Sequence, residues 1–409
     1  MTYPSTASND PKRSQKYLGA RGLPVLLALL SAFVPLSTDL YLPSLPTMTE
    51  QFHVPAAETN LTLILFFIAF GIATVIWGPL SDKYGRRPIL LVGLTVYAIA
   101  SILCAASSNV WQLIFFRVLQ AAGGGAATAV AAAIVKDTYF GRKRESILAL
   151  VQSMVFIAPA VAPVVGALLL RLTSWRGVFV TQGILGVIAF AGTIIFQETL
   201  ESRSSGDILH TVGRLGVVLR NRSFTVLLVS FSMMSIAMMA FVSSSSYIYQ
   251  DTFRLSAQVY SFFFAFNALG MILAPLIYLR LVSRFKRFSI INVCFVVMLL
   301  SGVLVCVLGG LEPWVFALAV LPSTFVASAT RAPSAYLMLN QQRGDTGSVS
   351  ALIGSGGTLM GSVGIIIVSF NMGHLIELIG ALNIILVVLC GGLWLIATGT
   401  PSLKAVRDV

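Results

Sequence analysis

Charge is what this sequence lacks most. Asp, Glu, Lys and Arg make up 10% of its 409 residues, and 57% are hydrophobic. A water-soluble domain carries roughly 25% charge, so this chain cannot cover itself with water. Disorder is excluded by the same numbers, because it needs low hydrophobicity. Four cysteines in so long a chain exclude a disulfide scaffold. Cys104, Cys294, Cys306 and Cys390 all fall in apolar stretches, with no CxxC or Cys/His grouping, so neither a metal site nor any cofactor is expected. Nucleotide-binding glycine loops, HExxH and nucleophile–base pairs are missing too, which argues against ATP drive and against an enzyme.

What is present is length of apolar run, with a mean hydropathy of +0.89. A helix needs about 20 apolar residues to cross a bilayer. Twelve stretches qualify: 23–46, 59–80, 88–106, 110–135, 146–171, 176–197, 224–249, 257–279, 289–310, 313–339, 347–371 and 375–398. The runs are too long and continuous for barrel strands. The expected fold is an all-α membrane protein of twelve transmembrane helices in two six-helix bundles. The expected layout is an N-terminal tail (1–22), a first bundle (23–197), a linker (198–222), a second bundle (223–399) and a C-terminal tail (400–409).

The formal net charge of +12 reports topology rather than nucleic-acid binding. With the N-terminus inside, 22 of the 27 Lys and Arg fall in inner segments, and only Arg171, Arg176 and Arg254 fall outside. Both termini are therefore expected in the cytoplasm, with the chain in an inner membrane. His210, in the linker, reads as a solvated side chain.

Between the second and third spans runs Gly78-Pro79-Leu80-Ser81-Asp82-Lys83-Tyr84-Gly85-Arg86-Arg87-Pro88. Gly78 would let two helices approach closely, and Gly85 suits a turn with positive φ. Asp82 can accept from a helix N-terminus or pair with Arg86, while Arg87 adds inner charge. The string resembles motif A of the major facilitator superfamily, G-x-L-(A/S)-D-x-x-G-R-(R/K)-P. The resemblance implies a latch on the inner side. The second half has only an echo at 279–287, without the Asp and Gly.

Three ionisable residues fall within apolar spans, where such groups are costly and functional by default. Asp39 reads as a buried acid or, given Pro43 and Pro46, as an acid at a helix end. Arg117 reads as a buried base or as an arginine snorkelling to an interface. It begins Arg117-Val118-Leu119-Gln120-Ala121-Ala122-Gly123, which resembles motif B with Ala121 replacing a glycine. Arg331 reads either as facing a cavity, holding an anion or a carbonyl, or as reaching the interface. In the fifth span, Ala158 to Ala167 resembles motif C of exporters at Pro163 and Gly166, its flanking glycines replaced by alanine.

Together with Thr38 to Pro46, these segments look like the bicyclomycin/chloramphenicol resistance (Bcr/CflA) group of drug:H+ antiporters. The resemblance is good in the first half and fades in the second. It implies proton-driven export of small amphipathic compounds, with Asp39 and Arg117 coupling protons. Protonation would weaken the attraction of Asp39 for Arg117 or for a cationic drug. The same-class alternative is an exporter or symporter of one metabolite, such as an amino acid, sugar or siderophore. A receptor on a transporter scaffold is disfavoured by the short tails.

Substrate contacts are expected from Tyr41, Gln120, Met234, Met238, Tyr247, Asn267 and Arg331. Each aromatic or Met is equally a packing residue or one facing lipid. The expected partners are a small-molecule substrate, protons and lipid, with no nucleic acid and a monomeric chain.

Overall fold

The computed structural model describes residues 15, 17–200, 208–341 and 346–399. Most of the two expected tails, part of the linker (201–207) and Arg343 lie outside the described residues. The described residues form helices and turns, without a strand. Eleven helices are long and apolar enough to cross a membrane, and a bent pair at the start makes up to twelve.

The first span is broken rather than one helix over 23–46. It consists of α1 (Gly19–Ser31), α2 (Phe33–Thr38), a 3-10 turn at Leu42–Ser44 and α3 (Leu45–Phe52). Its two parts, Arg21–Ser31 and Phe33–Phe52, meet at 47°. A proline stands beside each interruption. Pro35 has no N–H for the carbonyl of Ser31, and Pro43 has none for that of Asp39.

The remaining spans of the first half are α4 (Ala56–Tyr84), α5 (Arg86–Ala106), α6 (Val110–Thr138), α7 (Gly141–Leu172) and α8 (Trp175–Ile195). Helix α9 (Ile208–Leu219) follows in the linker region. The second half holds α10 (Arg222–Tyr247) with a π-helical turn at Ile248–Thr252, α11 (Ala257–Leu281), α12 (Arg287–Leu308), α13 (Pro313–Ala329), α14 (Arg331–Asn340), α15 (Thr346–Ser369) and α16 (Leu375–Gly399). Helices α13 and α14 form one span interrupted at Thr330. Pro333 cannot bond the carbonyl of Ala329 there. Side-chain caps fix several starts: Asn109 accepts from the Gln112 amide, Ser174 from that of Arg176, Asn221 from those of Ser223 and Phe224, and Ser256 from that of Val259.

The pairing of helices repeats after six spans. In the first half α4 packs on α6, α5 on α6 and α8, and α1 on α7. In the second, α11 packs on α13, α12 on α13 and α16, and α10 on α15. Each pair in one half corresponds to a pair in the other. The halves meet along two seams, α4 on α15 and α7 on α11. Large apolar side chains such as Val92, Ile188, Val293, Phe262 and Ile396 face outward. So extensive an exposed apolar surface suits lipid rather than water.

Candidate functional site

Because α2 stops at Thr38, its last carbonyls have no partner within the helix. Side chains from other helices take them up. Arg117 Nη1 donates to the carbonyl of Ser37 at 3.0 Å, and Gln182 Nε2 to that of Leu36 at 3.2 Å. Arg117 also donates to Gln120 Oε1. Gln120 in turn donates to Ser101 Oγ and Gln182 Oε1, each at 2.8 Å. Ser37 Oγ and the Tyr97 hydroxyl are 2.7 Å apart. The guanidinium is fully buried, 4.1 Å from the ring centre of Phe66 and 4.6 Å from that of Tyr41. Cation–π attraction of about 2 kcal/mol suits a cation withdrawn from water. Arg117 is therefore no snorkelling residue: it caps a broken helix from inside an aromatic cage.

Asp39 follows at the break. It is 7% exposed, and Oδ1 accepts from Thr38 Oγ1 at 3.0 Å. The expected attraction between Asp39 and Arg117 is not a direct ion pair in this conformation, since Arg117 forms none among the described residues. Capping explains this, because the guanidinium is turned toward the Ser37 carbonyl. The two groups are linked through the backbone of residues 37–39.

The same break is pressed by α7. A Cβ added at Gly166 would fall on the carbonyl oxygen of Leu40. Helix α7 runs unbroken through Pro159 and Pro163 to bring Gly166 there. On either side, hydrogen bonds cross between the halves. Gln250 Nε2 donates to the carbonyl of Pro43 at 3.0 Å, and Gln258 Nε2 to that of Ala167 at 3.2 Å. On the other seam, Asn60 Nδ2 donates to Ser369 Oγ at 3.0 Å. All these contacts lie at the end of the molecule opposite the linker, which is therefore closed.

Gly166→Ala should push the Leu40 backbone away and loosen these flanking bonds. Overpacking costs about 1–3 kcal/mol, enough to shift a two-state population roughly tenfold. Electron–electron distances between spin labels at positions 58 and 370, in a background without native cysteines, should lengthen. An unchanged distance distribution would contradict the role given to this contact.

On the linker side of the closure lies a cavity of about 700 Å³ between the halves. Its wall includes Phe67 of α4, Gln152 of α7, Ser232, Ser235 and Met239 of α10, Arg331 and Met338 of α14, and Gly354 and Thr358 of α15. Of the residues expected to touch substrate, Arg331 lies in this wall. Met234 and Met238 line a pocket of about 30 Å³ adjoining it at Arg331.

The other expected contacts lie outside this wall, buried within the protein. Tyr41 bonds Thr62 at 2.9 Å, and Gln120 belongs to the Arg117 network. Tyr247 faces Thr49 at the closed end. Asn267 is buried, its Nδ2 3.4 Å from the Phe263 carbonyl. Sequence reasoning missed Gln152, Ser232 and Ser235. The detectable signal was an amide alone in the apolar fifth span.

At the linker end, the turn at Gly85 has φ 109°, a conformation open to glycine. Gly78 is not a point of close approach here, since a Cβ there would meet nothing within 4 Å. Asp82 forms an ion pair with Arg86, whose Nε donates to Asp137 Oδ2 at 2.8 Å. The acceptor for the first amides of α5 is Glu198, not Asp82: its carboxylate takes the Arg86 and Arg87 N–H groups at 3.0 Å. Arg87 Nη2 donates to the Ile194 carbonyl at 2.6 Å, near the end of α8. Among the described residues no His, Cys, Asp and Glu grouping could hold a metal.

Residues 27–365 match the family described as Major Facilitator Superfamily. The chain is 29% identical over 351 residues to an MFS-type transporter of Bacillus subtilis, YdgK, covering 83% of this chain and 87% of that one. It is 23% identical to a bicyclomycin resistance protein homolog of Haemophilus influenzae, covering 82% and 84%. Its fold is similar to that of the xylose transporter XylE from E. coli in a partially occluded inward-open conformation. The TM-score there is 0.70 at 12% identity, over 90% of this chain and 96% of the other.

Proposed function

The chain belongs to the Major Facilitator Superfamily, a family of transporters, and from that premise we propose that it exports small amphipathic compounds in exchange for protons. The observation that carries this reading is Asp39: a buried carboxylate at a break in the first span, one residue from the Gly166 contact and two from the Arg117 cap. Protonation or ionisation there acts on a backbone joint beside the seal between the halves. A proton shifts the balance of two states only by binding one better, and such a joint provides the difference. The motif C-like α7 and a relative named for bicyclomycin resistance support export.

The membrane is a bacterial cytoplasmic one, with both termini and the linker inside, as the Lys and Arg bias favours. The conformation is then inward-facing. The two halves rock about the seams to expose the cavity alternately. The motif A cluster of Asp82, Arg86 and Asp137 is intact within the first half, ready to latch the inner ends when the outer seal opens.

Expression in a host stripped of its own pumps should raise tolerance to several amphipathic antibiotics, and a protonophore should remove the gain. Tolerance unaffected by the protonophore would refute proton coupling. A second reading, transport of one metabolite, is favoured by the hydroxyls of Ser232, Ser235 and Ser334 in the cavity wall. Competition among chemically diverse compounds separates the two.

A further inference from the structure

We propose that the cavity selects amphipathic compounds bearing one anionic group, and that the guanidinium of Arg331 is what binds that group. The inference rests on reading the cavity as the substrate site.

Among the described residues that line the 700 Å³ cavity, Arg331 is the only charged one, with no Asp or Glu. It is exposed to this space rather than packed away. Among the described residues it has no ion pair, and its Nη2 lies 3.4 Å from Met238 Sδ, a contact that leaves the charge uncompensated. A cation at membrane depth costs at least about 2.5–3.5 kcal/mol on insertion scales. One that has, among the described residues, neither a counter-charge nor a carbonyl or ring against its guanidinium is suited to an anion from elsewhere.

The contrast with Arg117 sharpens the point. Arg117 is fully buried, capped onto a carbonyl and stacked on rings. No ligand can reach it without dismantling that cage. Arg331 begins α14 just after the interruption at Thr330. Ser334 Oγ donates to its carbonyl at 3.0 Å, holding its backbone at the joint.

The surroundings suit an amphipathic anion. Phe67, Met239 and Met338 offer apolar and polarizable surface to a hydrocarbon body, and Ser232 and Ser235 stand in the same wall. A planar guanidinium pairs with a carboxylate through two parallel hydrogen bonds, which sets orientation as well as affinity. The same positive charge disfavours cationic compounds.

The test is a titration of the purified protein in lipid nanodiscs with 1-pyrenebutyrate and, separately, its methyl ester, empty nanodiscs being subtracted. At about pH 8 the acid is ionised. The wild type should bind the acid about tenfold or more tighter than the ester, as a charge-assisted bidentate pair allows. Arg331→Gln should bring that ratio to about one, and Arg331→Lys should keep part of it, since the charge stays and the fork is lost. Thermal unfolding of each variant establishes that it is folded. Equal binding of acid and ester by the wild type, or selectivity that survives Arg331→Gln, overturns anion selection while the cavity stands as a binding site. If neither probe binds, the reading of the cavity as the substrate site falls, and this inference with it.

Discussion

Asp39→Asn should equilibrate substrate across the membrane but not accumulate it. Asn is nearly isosteric, and its Oδ1 can still accept from Thr38 Oγ1 as the carboxylate does at 3.0 Å. The break in the first span and its Arg117 cap use backbone groups that this change leaves alone. What disappears is the ability to gain and lose a proton. Each pH unit across the membrane is worth about 1.4 kcal/mol. A one-for-one exchanger working on a difference of about two units can therefore sustain a substrate gradient of up to about a hundredfold. In proteoliposomes with an imposed pH difference, the wild type should approach such a gradient and Asp39→Asn should fall to about unity. Counterflow, which needs no proton, should persist. Uphill transport by the Asn variant would show that coupling lies at another group.

Arg117→Lys should lower the initial transport rate by about tenfold or more. A lysine keeps the charge but cannot lie flat between Phe66 and Tyr41 while bonding both Ser37 and Gln120. Either the Ser37 carbonyl or Gln120 Oε1 then lacks its donor in a water-free interior. A buried acceptor left unpaired costs about 1–3 kcal/mol. The loss falls on the joint that carries Asp39, so thermal stability and transport should drop together. Initial rates and unfolding midpoints in the same membrane preparation measure both. Transport at the wild-type rate in Arg117→Lys would refute the cap as a working part.

The spans were legible because an apolar run long enough to cross a bilayer has few other uses. The observed helices mostly overrun the expected stretches, as α4 (Ala56–Tyr84) overruns 59–80. The break near Asp39 was legible in Pro43, but the resumption of the helix at α3 was not, since that depends on packing against α4 and α10. The loop at 78–88 could be read, whereas its partners could not. Asp137 and Glu198 are 51 and 112 positions from Arg86, and no local pattern links them to it.

The cavity was the least legible part. A polar residue in a span announces a partner without saying whether that partner is a ligand or another side chain. Tyr41, Gln120 and Tyr247 turned out to meet side chains, while Arg331 opens on the cavity.

The seal far from the linker joins the halves through Asn60 and Ser369, Gln250 and the Pro43 carbonyl, and Gln258 and the Ala167 carbonyl, all neutral groups. The charged triplet of Asp82, Arg86 and Asp137 sits at the other end. Dissolved ions weaken exposed charge pairs and leave dipolar bonds nearly untouched. In the proposed orientation, the hydrogen bonds that hold the door facing a changing environment are thus indifferent to salinity. The charged catch stays indoors, with Arg86 shielded from those ions and Asp82 half-exposed to them, where the cell regulates its own ionic composition.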